Sequence, residues 1–200
     1  MIATRFATER LELLPLRVEY AGEMAGVLSA RELYGFIGGE PPSVEQLTDR
    51  YRRQVAGSGR PGEHWLNWVI SLDGVLVGYV QATVTGDEVE IAWVVGADWQ
   101  GQGIAKEAAI GLAEWLRHSS PAVERSVVGD SAGRAVRGDA GAASGNGDLR
   151  IVAHVHPGHA ASQAVARAVG LSATGELDAD GEELWVSRPE TRAGPAGGPA

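Results

Sequence analysis

Trp99-Gln100-Gly101-Gln102-Gly103-Ile104-Ala105-Lys106-Glu107-Ala108 joins an apolar, strand-like run to a strongly helical one through a turn that carries two glycines. Gly101 and Gly103 let the backbone approach a ligand closely. The amides of the first helical turn have no partner inside the helix, so they point at that ligand with the positive end of the helix dipole behind them. The pattern is an anion cradle, and it predicts a phosphorylated ligand. Two uses of such a turn do not fit. A P-loop needs Gly-x-x-x-x-Gly-Lys and then Ser or Thr, and Lys106 is neither at that spacing nor followed by a hydroxyl. A dinucleotide fold needs a third glycine and a repeated parallel unit, whereas the run before this turn belongs to an antiparallel meander.

That meander is read outward from the turn. Trp65 to Leu72 and Val75 to Thr85 alternate with a period of two around Asp73-Gly74, a strong hairpin signal, and Gly86-Asp87 turns the chain into Glu88 to Val95. After the cradle, Ile104, Ala105, Ala108, Ala109, Leu112, Trp115 and Leu116 fall on one helical stripe that must pack on the sheet. Towards the N-terminus, Thr8 to Leu16 reads as a short first strand. Helices are expected over Glu19 to Ala30 and Ser43 to Ala56, the second opened by the capping-box spacing of Ser43 and Gln46. Towards the C-terminus, Leu149 to His156 is a buried strand, and Pro157-Gly158 leads into a helix from about His159 to Val169, capped by Gly170. A hairpin around Asp180-Gly181 joins Glu176-Leu177 to Glu183–Ser187.

Residues 119–148 hold six glycines and no aromatic residue, Leu, Ile or Met, so they cannot bury enough surface to offset their ordering entropy and are expected to be a flexible insertion. The tail 188–200 is expected to be disordered. The predicted order is β-α-α-β-β-β-α-β-α-β-β. It makes a single α/β (α+β) domain over residues 1–187, with a mixed, mostly antiparallel sheet flanked by helices.

At 200 residues and 44% hydrophobic content the chain has room for one real core. A net charge of -9 argues against nucleic acid or an anionic membrane as the main partner. It gives slight support to a cationic ligand. The absence of cysteine removes disulfides, thiolate metal sites and cysteine nucleophiles together. With no signal-like start and no apolar run of membrane-spanning length, the expected address is cytoplasmic, as a monomer or homodimer.

Gln100-Gly101-Gln102-Gly103-Ile104-Ala105 matches the Gln/Arg-x-x-Gly-x-Gly/Ala signature of the GNAT superfamily of acyl-CoA-dependent N-acyltransferases. Pro157-Gly158-His159-Ala160-Ala161-Ser162, followed by Val165, Gly170 and Leu171, resembles a second block of that family, an Asn-x-x-Ser/Ala helix ending at Gly-Phe. The opening Thr8-Glu9-Arg10-Leu11 is similar to the branch that includes ribosomal-protein N-terminal acetyltransferases. The resemblance spans residues 8 to 186, apart from the insertion. It implies that acetyl-CoA is co-substrate, with its pyrophosphate on the amides of residues 101 to 105. It also implies that the strand before the cradle, splayed by a bulge, hydrogen-bonds the pantetheine arm beside Val94 and Val95. No metal is implied.

The chemical step asks for a base to take the amine proton and a donor for the leaving thiolate. Glu88 and Glu90 share one face of the strand that leads to the cradle, while Val89, Ile91 and Trp93 take the other. Glu90 is preferred because it aligns with the acidic position of the family's Glu-Ile-Gly-Tyr-like strand, where apolar neighbours Val89, Ile91 and Ala92 would raise its pKa. The tyrosine that the family commonly uses as acid is Ala166 here, and its Asn is His159. Ser162, His159 or water is left for that role, or the thiolate leaves unassisted, and His159 is also a candidate contact to cofactor or a plain polar cap. His154, His156 and His159 invite a metal reading, against which stands the lack of a carboxylate near them in the local sequence. Trp65, Trp68, Trp93 and Trp185 are expected in the core or along an acceptor cleft. The predicted activity is direct acetyl transfer to a primary amine, on a small molecule or a peptide N-terminus, in a ternary complex. The alternative is an acyl-CoA-binding or interaction module of the same fold without catalysis.

Overall fold

The computed structural model describes residues 1–119 and 149–188. The expected insertion and tail therefore lie outside the described residues, save Ser119 and Arg188. Eight strands form: β1 Phe6–Ala7, β2 Leu11–Pro15, β3 Glu63–Leu72, β4 Val75–Thr85, β5 Glu88–Val95, β6 Arg150–Val155, β7 Leu171–Leu177 and β8 Glu183–Ser187. Among the described residues five α-helices accompany them: α1 Ala21–Val27, α2 Tyr34–Ile37, α3 Val44–Ala56, α4 Ile104–Ser119 and α5 Ala160–Val169.

One sheet runs in the order β1-β2-β3-β4-β5-β6-β8-β7. All neighbours are antiparallel except β5 and β6. At the β3–β4 turn Asp73 and Gly74 both take positive φ, 51° and 83°, as a two-residue hairpin with right-handed strand twist requires. The meander is as expected, with β3 starting two residues early. Four features depart from expectation. The first strand is a hairpin, because Phe6 and Ala7 pair back onto Leu13 and Glu12. The helical region before α3 breaks into α1, the single turn α2 and short 3-10 turns. β7 starts at Leu171, directly after the left-handed cap Gly170, and bends near Gly175 where its register with β8 shifts. Finally, β8 inserts between β6 and β7.

Each face of the sheet carries its own core. Trp68, Ile70, Val80 and Ile91 pack under Leu112 and Leu116 of α4 and Ala166 of α5, and Val69 and Leu76 pack under Met24 of α1 and Leu47 of α3. Side chains of this size stabilise by about 1.5–3 kcal/mol each when fully buried. The α4 stripe is buried at Ile104, Ala108, Ala109, Leu112 and Leu116 and half-covered at Ala105 and Trp115. α3 opens with the expected capping box: Ser43 Oγ accepts from the Gln46 amide at 3.2 Å, and the Ser43 amide donates to Gln46 Oε1 at 2.8 Å.

The feature that positions the site is a parting inside the sheet. β5 and β6 run side by side for three pairs only, Glu88 with Arg150, Val89 with Ile151 and Glu90 with Val152. β4 nevertheless follows β5 to Val95, and β8 follows β6 to Val155. A wedge therefore opens between two otherwise continuous ladders. No bulge produces it: the β4–β5 register is unbroken, and the shift in this region lies between Ile70 and Ser71 on β3. α4 and α5 both begin at the mouth of the wedge, because each follows the strand that forms one of its sides.

Candidate active site

A 3-10 turn at Ala97–Trp99 carries the chain from β5 into the cradle. Gly101 and Gly103 take φ of 74° and 79°, a left-handed backbone that side chains resist. None of the amides of residues 101 to 106 donates to another backbone group among the described residues, and helix bonding begins with the Glu107 amide on the Gly103 carbonyl at 3.0 Å. The amides of Gly101 to Lys106 are thus left without a backbone acceptor among the described residues at the start of α4. Gln100 and Gln102 turn their side chains onto the loop itself, donating to the carbonyls of Val95 at 3.2 Å and Asp98 at 3.3 Å.

The loop is also tied to the N-terminal hairpin. Glu107, in the first turn of α4, accepts from Thr8 Oγ1 at 2.6 Å, from the Arg10 amide at 2.8 Å and from Arg10 Nε at 2.7 Å, while Arg10 Nη2 donates to the Gln102 carbonyl at 3.2 Å. Desolvation works to raise the Glu107 carboxyl, but the bonds from Thr8 and Arg10 together outweigh it and hold the group below the usual carboxylate range.

Along the wedge, Val94 and Val95 of β5 face His159, Ala161, Ser162 and Val165 of α5, with Ile104, Ala105 and the exposed Lys106 at the cradle end. On the α1–α3 side the cleft continues past Trp93, Ala92 and Glu90 to Tyr34, Phe36, Arg50 and Tyr79, and Glu182 reaches it from the β7–β8 connection. Ser162 and His159 border both parts.

The two expected bases separate here. Glu90 is exposed and lines the cleft, but Val89 and Ile91 are buried on the opposite face, so the apolar enclosure expected around its carboxylate is absent. Glu88 stands at the closed end of the wedge in an ion pair with Arg150, away from the cleft lining. Glu182, which the sequence did not single out, is half-buried in the cleft, and burial, reinforced by the charge of Asp178, raises its pKa above the usual carboxylate value.

His159 occupies the N-cap of α5 without making a capping hydrogen bond, so the plain-cap role does not hold. Its ring instead stacks on Phe36, with centroids 4.4 Å apart and planes at 9°. Desolvation, followed by the neighbouring His156, lowers its pKa, which keeps the imidazole neutral near pH 7. Ala166 is fully buried, so the position where the family often carries a tyrosine is sealed inside the core. A carboxylate reaches the histidines from outside their local sequence: Asp178 Oδ2 lies 2.9 Å from His154 Nδ1, close but not aligned as a hydrogen bond. Bonds from the Glu182 and Asp180 amides hold Asp178 below its ordinary pKa. Among the described residues no three His, Asp or Glu side chains converge as a metal site. Of the tryptophans, Trp68 and Trp185 are core, Trp93 lines the cleft and Trp65 is partly exposed.

The acetyltransferase (GNAT) domain family model matches residues 10–172. No curated protein sequence matches the chain. Among solved structures, the chain is similar to a GNAT-family acetyltransferase from Bacillus anthracis, with 17% identity, a TM-score of 0.63 and coverage of 92% of this chain and 96% of that one. It is likewise similar to RimL, a ribosomal-protein alpha-N-acetyltransferase solved with coenzyme A, at 14% identity, a TM-score of 0.65 and coverage of 92% and 97%. MccE, a microcin self-immunity acetyltransferase solved with acetyl-CoA and AMP, matches at 14% identity and a TM-score of 0.62, over 90% and 92% of the two chains. At these identities the likeness is one of fold. No described helix is long and apolar enough to cross a membrane.

Proposed function

This chain belongs to the acetyltransferase (GNAT) domain family, and on that premise we propose that it transfers acetyl from acetyl-CoA directly to a primary amine. The observation that carries the proposal is the parting of β5 from β6 at Glu90 and Val152, opening onto a turn whose amides have no backbone partner. The amides of Gly101 to Ala105 would hold the pyrophosphate by charge-assisted bonds, roughly twice as strong as neutral ones. The edge of β5 beyond Glu90, where the main chain of Trp93 and Val95 turns away from β4, would take the pantetheine arm as it would another strand, with the Val94 side chain beside it.

The amine nitrogen attacks the thioester carbon, the C–N bond forms, the C–S bond breaks, and the sulfur leaves as thiolate. The proton lost by nitrogen passes to a carboxylate at the cleft, Glu90 or the partly desolvated Glu182. The thiolate is reprotonated by water, either directly or relayed through Ser162, which borders both halves of the cleft and regains from water the proton it passes on. No acyl-enzyme is invoked, because the chain has no cysteine and no side-chain hydrogen bond joins Ser162 to a base among the described residues.

Calorimetry with acetyl-CoA, followed by a thiol-release assay over small amines and peptide N-termini, tests the proposal. Binding with turnover is expected, and Gly103→Trp should abolish binding by breaking the left-handed turn. Tight binding with no turnover on any amine assigns the chain an acyl-CoA-binding role instead. No binding refutes both.

A further inference from the structure

On the acceptor side of the cleft, α3 supplies a cation that the protein leaves uncompensated. Arg52 pairs with Asp49 at 2.7 Å and Arg60 with Glu63 at 3.4 Å, but no carboxylate among the described residues pairs with Arg50. Arg50 stands where the cleft meets a narrow inner chamber between α3 and the sheet, which Tyr51, Gln54, Asn67 and Tyr79 line. Tyr51 is only 4% exposed, and its hydroxyl has no hydrogen-bond partner. A buried donor left unmade costs about 1–3 kcal/mol, so such a group is expected to have a purpose. Tyr34 is different, because its hydroxyl is committed to the Leu28 carbonyl at 2.9 Å. Burial raises the Tyr51 and Tyr79 hydroxyls, the latter to about 12, so both remain proton donors at neutral pH even with Arg50 beside them. A guanidinium with two neutral hydroxyls is the complement of an oxyanion.

Three acids line the same cleft, Glu40 from the segment between α2 and α3, Glu90 and Glu182. Tyr79 faces Val94 across the β4–β5 ladder, and Glu90 is four residues back along the same face of β5, roughly 13 Å at the rise of an extended strand. Glu182 joins the cleft from the β7–β8 connection. The chain's overall charge of -9 suggests a plain cation as ligand, but the cleft itself is bipolar.

We infer that the acceptor is a primary amine that also carries an anionic group, a carboxylate or a phosphate, with Arg50 and the Tyr79 hydroxyl holding the anion, the Tyr51 hydroxyl reaching it through a water in the inner chamber of about 30 Å³, and Glu90 and Glu182 facing the amine. The inference rests on the acetyl-transfer reading and narrows its substrate class. Arg50 acts through binding, so its effect falls on KM and on selectivity between acceptors.

Matched pairs test it: amino acids against the amines left by removal of their carboxylate, and phosphate-bearing amines against the corresponding alcohols, in the thiol-release assay. The anionic member is expected to have at least tenfold higher kcat/KM, mostly through KM. Whether the carboxylate or the phosphate series gives the larger ratio identifies the anion. In Arg50→Met the ratio should fall to near one, Arg50→Lys should restore part of it, and Tyr51→Phe should lower it severalfold. Equal kcat/KM within the pairs, or a preference that survives in Arg50→Met, overturns the inference while leaving acetyl transfer intact. If no acceptor turns over, the affinities of the paired compounds for the protein–CoA complex replace kcat/KM, and equality, including no binding of either member, overturns it equally. Calorimetry with acetyl-CoA reports separately on the cradle and on the folding of each variant. A wild-type protein that fails to bind acetyl-CoA removes the transferase reading, and this inference with it.

Discussion

Replacing Glu107 by Gln keeps the shape of the side chain at the joint between the N-terminal hairpin and α4, and changes one oxygen into an amide nitrogen. Oε1 can still accept from Thr8 and from the Arg10 amide, the bonds of 2.6 and 2.8 Å. The other position then presents N–H to the Arg10 guanidinium, losing contacts of 2.7 Å to Nε and Nη2. Hydrogen bonds to charged groups contribute about 1.5–3 kcal/mol each. Because the Arg10 side chain is 46% exposed and that of Glu107 18%, solvent screening brings the pair to about 2 kcal/mol in total. For a chain of this size that is a fall of roughly 4–8 °C in Tm at pH 7. The pH dependence follows from the lowered pKa of Glu107. A carboxyl whose folded pKa lies below its unfolded value stabilises fully above about pH 4.3 and loses that contribution as pH falls through the folded value. The gap between wild type and Glu107→Gln, read from urea midpoints, should therefore be widest near neutrality and narrow below pH 4. The variant should also bind acetyl-CoA several-fold more weakly, since the anchor of Arg10 on the Gln102 carbonyl is loosened. Equal urea midpoints at pH 7, or a gap that stays constant into acid, would show that Glu107 does not brace the cradle as an ionised group.

Gly78→Ala should be far more damaging than a methyl group suggests, because a Cβ there would meet the Val94 carbonyl oxygen at 2.3 Å, and that atom is backbone. A loss of roughly 3 kcal/mol is expected, together with a raised KM for acetyl-CoA as Val94 and Val95 are pushed aside; chemical denaturation and steady-state kinetics read the two effects, and wild-type values for both would refute the argument. If Glu182 takes the amine proton, activity should fall as pH drops through a midpoint above the ordinary carboxylate value of about 4.3, since burial raises this group and only its ionised form accepts a proton. Glu182→Gln should remove that limb and lower kcat by at least about 100-fold; an unmoved pH profile assigns the proton to another group.

The elements legible in the sequence are those whose cause is local. The Asp73-Gly74 hairpin and the Ser43–Gln46 box depend on residues within a few positions, as do the two left-handed glycines of the cradle, and all stand where the pattern puts them. Pairings decided by distant partners were not legible. Phe6 and Ala7 have no strand signature of their own and become a strand by lying against Glu12 and Leu13. Nothing in Glu183–Ser187 says that it will insert beside β6 rather than end the sheet. The same holds at the site. Glu90 could be found because period-two spacing gives its face, but its degree of enclosure belongs to neighbouring elements. Arg50 sits in Arg50-Tyr51-Arg52-Arg53, which reads as the solvated face of a helix. Glu182 is one acid among several around a turn. Only the meeting of α3, β4 and the β7–β8 connection gives these two side chains a shared cleft.

The parting of β5 from β6 has a consequence for how this protein tolerates change. Within the wedge the groups on offer are peptide N–H and C=O, which every residue except proline supplies alike. Substitutions from Ala92 to Val95 that keep the strand extended and its inner face apolar should drift with little effect, whereas a proline at Val95, whose main-chain groups turn away from β4, would remove a donor that no neighbour can replace. A recognition surface made from main chain leaves almost no trace in side-chain identity. That is why the stretch reads as an ordinary apolar strand, and why the legible signature lies a few residues later, where the backbone needs glycine to turn.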